Sequence, residues 1–384
     1  MSTMRVLHIV NWYPNMQDPH EAPFIHRHVQ AMARTCQSEV WHIAVRQHKK
    51  FFLTTRGPHA DRTLLLNAPL RTWYIIEWIT TLLVLWAWMT RKRSLRYDMV
   101  NFYIAYPLCT RLRLLRTVIR RPMMMMEQWS GYHFEFGTTS SGLNRARRIF
   151  RHGIPVVCVS GSLANDIRRF AGVSDLPCPV VPNVVDLKQF TCSPDDVHEP
   201  DVYFAMAGWR RPKRPEIMIE ALALLRSSGV PAHLRLAGDG PEMPAVKALI
   251  EKHALHDRVT LLGRLDPASA AMEMRKAFAL WHCSDYETFS VVCAEALCCG
   301  APVIASNVGG IPSFVNSSNG VLVPSNDAET WADAVAGARE RLAQVDRQAL
   351  ASTAQQRFGA IEVGEQLVTL FEQRMAGSPV AIAP

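Results

Sequence analysis

A chain of 384 residues, 48% of them apolar, is too long for one ordinary core, so two domains of roughly 150 to 200 residues are expected. Nine cysteines without a Cys-x-x-Cys pair, several inside apolar runs, fit buried thiols in a reducing compartment better than a disulfide framework or a zinc site. The net charge of +8 is unevenly placed: residues 1–190 carry 25 Lys and Arg against 11 Asp and Glu, residues 191–384 carry 17 against 23. A basic half joined to an acidic half points to an anionic partner for the first, whether nucleic acid, membrane or a phosphorylated substrate.

In chain order, "MSTMRVLHIV" reads as an opening strand and lacks the long apolar region of a secretory signal, so a cytoplasmic protein is expected. Residues 5–10, 40–45, 97–102, 123–127 and 155–160 read as further short strands separated by helical patterns, which is the signature of βαβ units and a parallel sheet. Between them "WYIIEWITTLLVLWAWM" (73–89) is nearly all apolar, with "RKRSLR" (91–96) behind it and "TRLRLLRTVIRR" (110–121) further on. This run is shorter than the ~20 residues a membrane span needs and contains Glu77, which leaves a core helix, an interfacial helix, or one helix with both faces. No basic-aromatic module for nucleic acid is recognisable in this half.

Pro, Asp and Asn cluster over 180–202, and the domain break is expected there, after residue 187. Strands at 202–208, 233–238, 259–263, 279–283 and 302–306 repeat the βα theme, giving an α/β chain of two Rossmann-like domains. The last helical pattern, 360–375, follows a completed second sheet and is expected to pack back on the first domain, so that 366–384 belongs with 1–187 and 188–365 forms the second domain.

Three stretches of the second half carry chemistry. "AGDGPEM" (237–243) is a tight turn whose Gly238 and Gly240 let backbone approach a flat ring or a phosphate. "AGWRRPKRPEIMIEAL" (207–222) places four cations ahead of a helix starting near Pro215, where side-chain charge and orphan N–H groups together suit a diphosphate. In "ETFSVVCAE" (287–295), Glu287 falls in a loop at the carboxyl end of a strand and Glu295 within the first turns of a helix, with the amides of 288–291 between them. Two carboxylates in an apolar stretch need partners, and sugar hydroxyls would serve.

The run from "DRVTLLGRL" through "CSDYETFSVVCAEALCCGAPVIASNVGGIPSFV" (257–315) resembles the signature of the family 4 retaining glycosyltransferases, with its E-x7-E pair at Glu287 and Glu295. "GDGP", "VVPNVVDLKQF" (180–190) and the final helix are similar to that family in order and spacing. The resemblance implies a GT-B fold, two Rossmann-like domains facing a central cleft, and transfer of a sugar from a UDP- or GDP-linked donor to an acceptor hydroxyl without a metal. It implies that Lys213 and either Arg210 or Arg211 meet the diphosphate, with amides near Phe289, Ser290 and Val291. Glu287 would meet the donor sugar and Glu295 the ribose. "MEQWSGYHF" (126–134) is similar to a segment with an active-site histidine, whose place Gln128 takes; Gln128 would donate a hydrogen bond to the sugar but carry no proton, and His133 is a substitute. A glycine expected before Phe24 is replaced by Ala22-Pro23. The resemblance extends to builders of bacterial surface polysaccharides, which implies a lipid-linked glycan acceptor and an anionic membrane surface met by the first domain, on the inner face of the cell membrane. The changes at Ala22 and Gln128 leave open a relative that binds carbohydrate, or regulates, without turnover.

Overall fold

The structure, a computed structural model, describes residues 3–19, 21–70, 72–90, 97–134, 140–193 and 195–380. It divides into two compact units, Met1–Val184 with Ala360–Pro384, and Val185–Gly359. The changeover lies three residues earlier than expected because Val184 is buried in the core of the first unit while the N–H of Val185 donates to the carbonyl of Phe358, at 2.9 Å, in the second.

The first unit is built on strands β1 (Arg5–Val10), β2 (Gln37–Gln47), β3 (Phe52–Thr54), β4 (Arg62–Ala68), β5 (Met99–Tyr103), β6 (Met123–Glu127) and β7 (Val156–Cys158), in the order β3-β4-β2-β1-β5-β6-β7. All neighbours are parallel except β3 and β4. Helices cover both faces of such a sheet, so its central strands are continuous apolar runs; "MMMME" is one of them, with Met124 and Met126 on one face. Against that face lie the helices Pro23–Met32 and Ala360–Met375. The latter buries Val363, Leu367, Leu370 and Phe371 at helical spacing, each contributing about 2 kcal/mol of burial, and this places the C-terminal helix in the first unit.

The apolar stretch at 73–89 is the helix Trp73–Met89. Its buried Glu77 accepts from Arg145 Nε at 2.6 Å and Nη2 at 3.1 Å, from the Tyr106 hydroxyl at 3.2 Å and from Arg111 at 3.5 Å, which compensates a carboxylate in an otherwise apolar helix. Ile75, Leu82, Trp86 and Met89 stay exposed at spacings of seven, four and three, a single apolar stripe facing outward. No helix among the described residues is long and apolar enough to cross a membrane. The basic run 91–96 lies outside the described residues.

The second unit holds β8 (Val202–Gly208), β9 (His233–Asp239), β10 (Val259–Gly263), β11 (Ala279–His282), β12 (Val303–Ser306) and β13 (Gly320–Val323), all parallel, in the order β10-β9-β8-β11-β12-β13. Strands β3, β4 and β13 are additions to the sequence reading.

Candidate functional site

The strand order of the second unit reverses direction between β8 and β11, the point of an open α/β sheet where ligands bind beyond the carboxyl ends. Lys213 lies in the loop after β8 and Glu287 in the loop after β11. Backbone bonds zip these loops together: Arg214 N–H to the Cys283 carbonyl at 3.0 Å, Asp285 N–H to the Pro212 carbonyl at 2.9 Å, reinforced by an Arg214–Asp285 ion pair at 3.0 Å. Lys213 Nζ consequently donates to Glu287 Oε1, and His282 Nε2 meets the same oxygen at 2.6 Å.

Burial pushes the Lys213 ammonium down to about 8, against a smaller upward pull from Cys293. Burial, then the charge of Lys213, hold His282 well below the ordinary imidazole range, so its ring is neutral. A carboxylate only accepts, hence Nε2 carries the hydrogen and donates. The sequence reading expected sugar hydroxyls as the partners of Glu287; in the structure its partners are the chain's own Lys213 and His282. His282 escaped that reading because it ends a buried strand and looks like wall. The backbone of Glu287 is fixed as well, its carbonyl accepting from Gly310 N–H at 2.9 Å. Gly309, at φ 55°, makes this approach possible: a Cβ there would stand 1.8 Å from the Glu287 oxygen.

Arg210 and Arg211 differ. Arg211 is paired with Glu216 at 3.0 Å and lies 3.9 Å from Glu242, whereas the exposed side chain of Arg210 has no hydrogen-bond or ion-pair partner among the described residues. Gly238 and Gly240 do permit close approach, but to protein: added Cβ atoms would meet the Ala207 carbonyl oxygen at 1.9 Å and the Trp209 carbonyl oxygen at 2.2 Å. Their role is to seat the turn against the end of β8. Phe289 points into the core against Phe314 and Phe358, leaving only its backbone for a ligand. Ser290 precedes the helix Val291–Cys298 with φ 75°, a left-handed conformation strained for a non-glycine residue, and its hydroxyl contacts Cys293 Sγ at 3.1 Å. Its position leaves the first amides of that helix, from Val291 on, without intrahelical partners. Glu295 lies one turn into the helix and is buried.

Gln128 belongs to the first unit, just after β6. It is buried, and its Nε2 lies 3.0 Å from His28 Nδ1. His133 is engaged with Asp166 at 3.1 Å. At the carboxyl ends of β1, β2 and β5 a cavity of about 340 Å³ is walled by Trp12, Trp73, Trp129 and Tyr106, with Asn11 and Arg46 as its polar edge. Arg46 is paired with Glu21. No group of three or more His, Cys, Asp or Glu among the described residues is arranged to hold a metal ion.

The second unit also matches a known family by sequence. Residues 195–354 match the family described as glycosyl transferases group 1. This part of the chain is similar to group 1 glycosyltransferase domains. Among curated relatives, the N-acetyl-alpha-D-glucosaminyl L-malate synthase of Bacillus anthracis is 33% identical over 129 residues, covering 33% of each chain. The D-inositol 3-phosphate glycosyltransferase of Xylanimonas cellulosilytica is 30% identical over 244 residues, covering 56% of each. The chain thus spans between a third and just over half of these relatives. Among solved structures, sucrose-phosphate synthase from Thermosynechococcus elongatus superimposes with a TM-score of 0.77 at 20% identity, over 98% of this chain and 100% of that one. Anabaena HepE in complex with UDP gives 0.74 at 18% identity, over 96% and 100%. These likenesses are of fold, the two-domain α/β GT-B fold.

Proposed function

We propose that this protein is a retaining glycosyltransferase that moves a sugar from a UDP- or GDP-linked donor to an acceptor hydroxyl. The observation that carries the reading is the Lys213–Glu287–His282 cluster at the strand-order reversal of a group 1 glycosyltransferase domain. In this reading Glu287 accepts from hydroxyls of the transferred sugar and Glu295 from those of the ribose. Charge builds on the departing diphosphate in the transition state. Lys213, the unpaired Arg210 and the first amides of the helix after Ser290 neutralise it, so that no metal is needed and chelation leaves the rate unchanged.

The acceptor would enter the first unit. Its tryptophan-walled cavity suits a sugar ring, apolar on its faces and polar at its rim. Trp73 lines that cavity and begins the helix whose stripe of Ile75, Leu82, Trp86 and Met89 faces outward. A lipid-linked glycan would fill the cavity with sugar while the stripe and the basic surface of this half rest on an anionic membrane, as in bacterial surface-polysaccharide synthesis on the cytoplasmic face. Binding to phosphatidylglycerol vesicles at low salt, weakened by Leu82→Ser with Trp86→Ser, checks that part; indifference to such vesicles removes it.

Release of nucleoside diphosphate from a panel of UDP- and GDP-sugars tests the reaction, and the anomeric coupling of the product by NMR tests retention. HepE was solved with UDP, so UDP-sugars head the panel. Turnover that disappears in Glu287→Ala supports the enzyme. Silence across the panel with donor binding intact would make the chain a carbohydrate-binding relative.

A further inference from the structure

His28 lies on the helix Pro23–Met32 of the first unit and is wholly buried. Its Nε2 stands 3.0 Å from the Pro182 carbonyl oxygen, and a carbonyl only accepts, so Nε2 carries a hydrogen. Burial pushes the ring down to about 4, so it is neutral and Nδ1 is a bare lone pair. The Gln128 atom facing Nδ1 at 3.0 Å must therefore be the amide nitrogen. One chain of hydrogen bonds, from Gln128 through His28 to Pro182, fixes which way the amide points. It leaves Gln128 Oε1 as a buried acceptor with no donor among the described residues, on a residue only 7% exposed and immediately before Trp129 of the cavity wall. A buried carbonyl left unpaired is destabilising, and the atom calls for a donor that none of the described residues supplies.

We infer that Gln128 Oε1 accepts a hydrogen bond from a sugar hydroxyl and that His28 is the positioning residue that aims it. This rests on the glycosyltransfer reading and reverses the sequence expectation: Gln128 offers the ligand its carbonyl, while its amide N–H is engaged with His28. Donor sugar and acceptor glycan both carry such hydroxyls, so the source is left to the experiment.

Four variants of the full chain separate the possibilities: Gln128→Met removes the oxygen at similar size, Gln128→Glu keeps an outward oxygen, His28→Leu frees the amide to flip, and His28→Gln restores an acceptor beneath it. Donor hydrolysis without acceptor, and transfer to dodecyl maltoside, are measured with the panel sugar that wild type uses best. Binding of UDP-glucose and of dodecyl maltoside is followed by tryptophan fluorescence, so a chain that binds without turnover is still informative. The inference expects Gln128→Met and His28→Leu to lose 10- to 100-fold in kcat/KM or affinity, with His28→Gln recovering part. Gln128→Glu should stay within tenfold at low pH and decline as pH rises below the Lys213 limb, because its inward oxygen must share a proton with His28 Nδ1; wild type holds over that range and declines only as Lys213 loses its proton near pH 8. Losses in hydrolysis and transfer alike assign the hydroxyl to the donor, losses in transfer alone to the acceptor. Gln128→Met behaving as wild type, or Met and Glu failing equally at every pH, would overturn the inference. Absence of wild-type turnover would sink the enzymatic reading instead, leaving the binding ratios to decide this one.

Discussion

In the second unit one oxygen of Glu287 is held by both Lys213 and His282, and the carbonyl of the same residue is held by Gly310. In the first unit the corresponding edge of the sheet carries a cavity walled by tryptophans, whose charged lining residue, Arg46, is already paired with Glu21, and a Gln128 carbonyl with no donor among the described residues. Both sites lie beyond the carboxyl ends of parallel strands. The difference is one of charge: an ionised group cannot be left buried and alone, so the proposed donor side must carry its own counter-ion before any ligand arrives. A neutral acceptor can wait for its ligand at much lower cost, and stacking surfaces need no counter-group.

The comparison breaks most sharply at Glu287. Glu287→Gln leaves Lys213 unpaired and removes the charge that orients it, and turnover should fall by about a thousandfold, with the folded state confirmed by circular dichroism. A loss below tenfold would mean that the cluster is structural. Next in size, Arg210→Ala should lower kcat/KM by about 10- to 100-fold, while Arg211→Ala, whose guanidinium is already held by Glu216, should change it little. Equal effects would contradict the assignment.

A pH profile sharpens the same point. Lys213 is charged below its pKa of about 8, so kcat/KM should hold below that value and decline as pH rises through and above it, roughly tenfold per unit. Lys213→Arg should move that limb upward or abolish it; a limb that stays in place would belong to another group. The smallest effect is at Ser290, where glycine relieves the left-handed strain at φ 75°. Ser290→Gly should raise stability by about 0.5 kcal/mol in denaturant titration, part of the gain being offset by the lost contact to Cys293.

How far the sequence could be read follows from the same contrast. Glu287, Glu295 and the basic loop stood out because charge in an apolar run demands compensation, and the βα alternation gave both sheets apart from β3, β4 and β13. His282 and His28 did not stand out, since each is a neutral ring in a buried element and only its partner reveals its use. Gly238 and Gly240 were noticed for the right conformational reason, and the structure adds protein neighbours, the carbonyls of Ala207 and Trp209, that sequence could not name. Glu77 argued correctly against a membrane span, yet Arg145, its strongest partner, lies 68 residues away. The tryptophan cavity was out of reach for a similar reason, as Trp12, Trp73 and Trp129 converge from three separate segments.

The proposed division of labour between a charged donor site and a tryptophan-walled acceptor site is tested most directly by measuring donor hydrolysis and sugar transfer side by side in Lys213→Ala and Trp129→Leu. The account predicts that Lys213→Ala loses both activities, while Trp129→Leu keeps hydrolysis and loses transfer through a raised KM for the acceptor. Hydrolysis retained in Lys213→Ala, or lost in Trp129→Leu to the same extent as transfer, would contradict it.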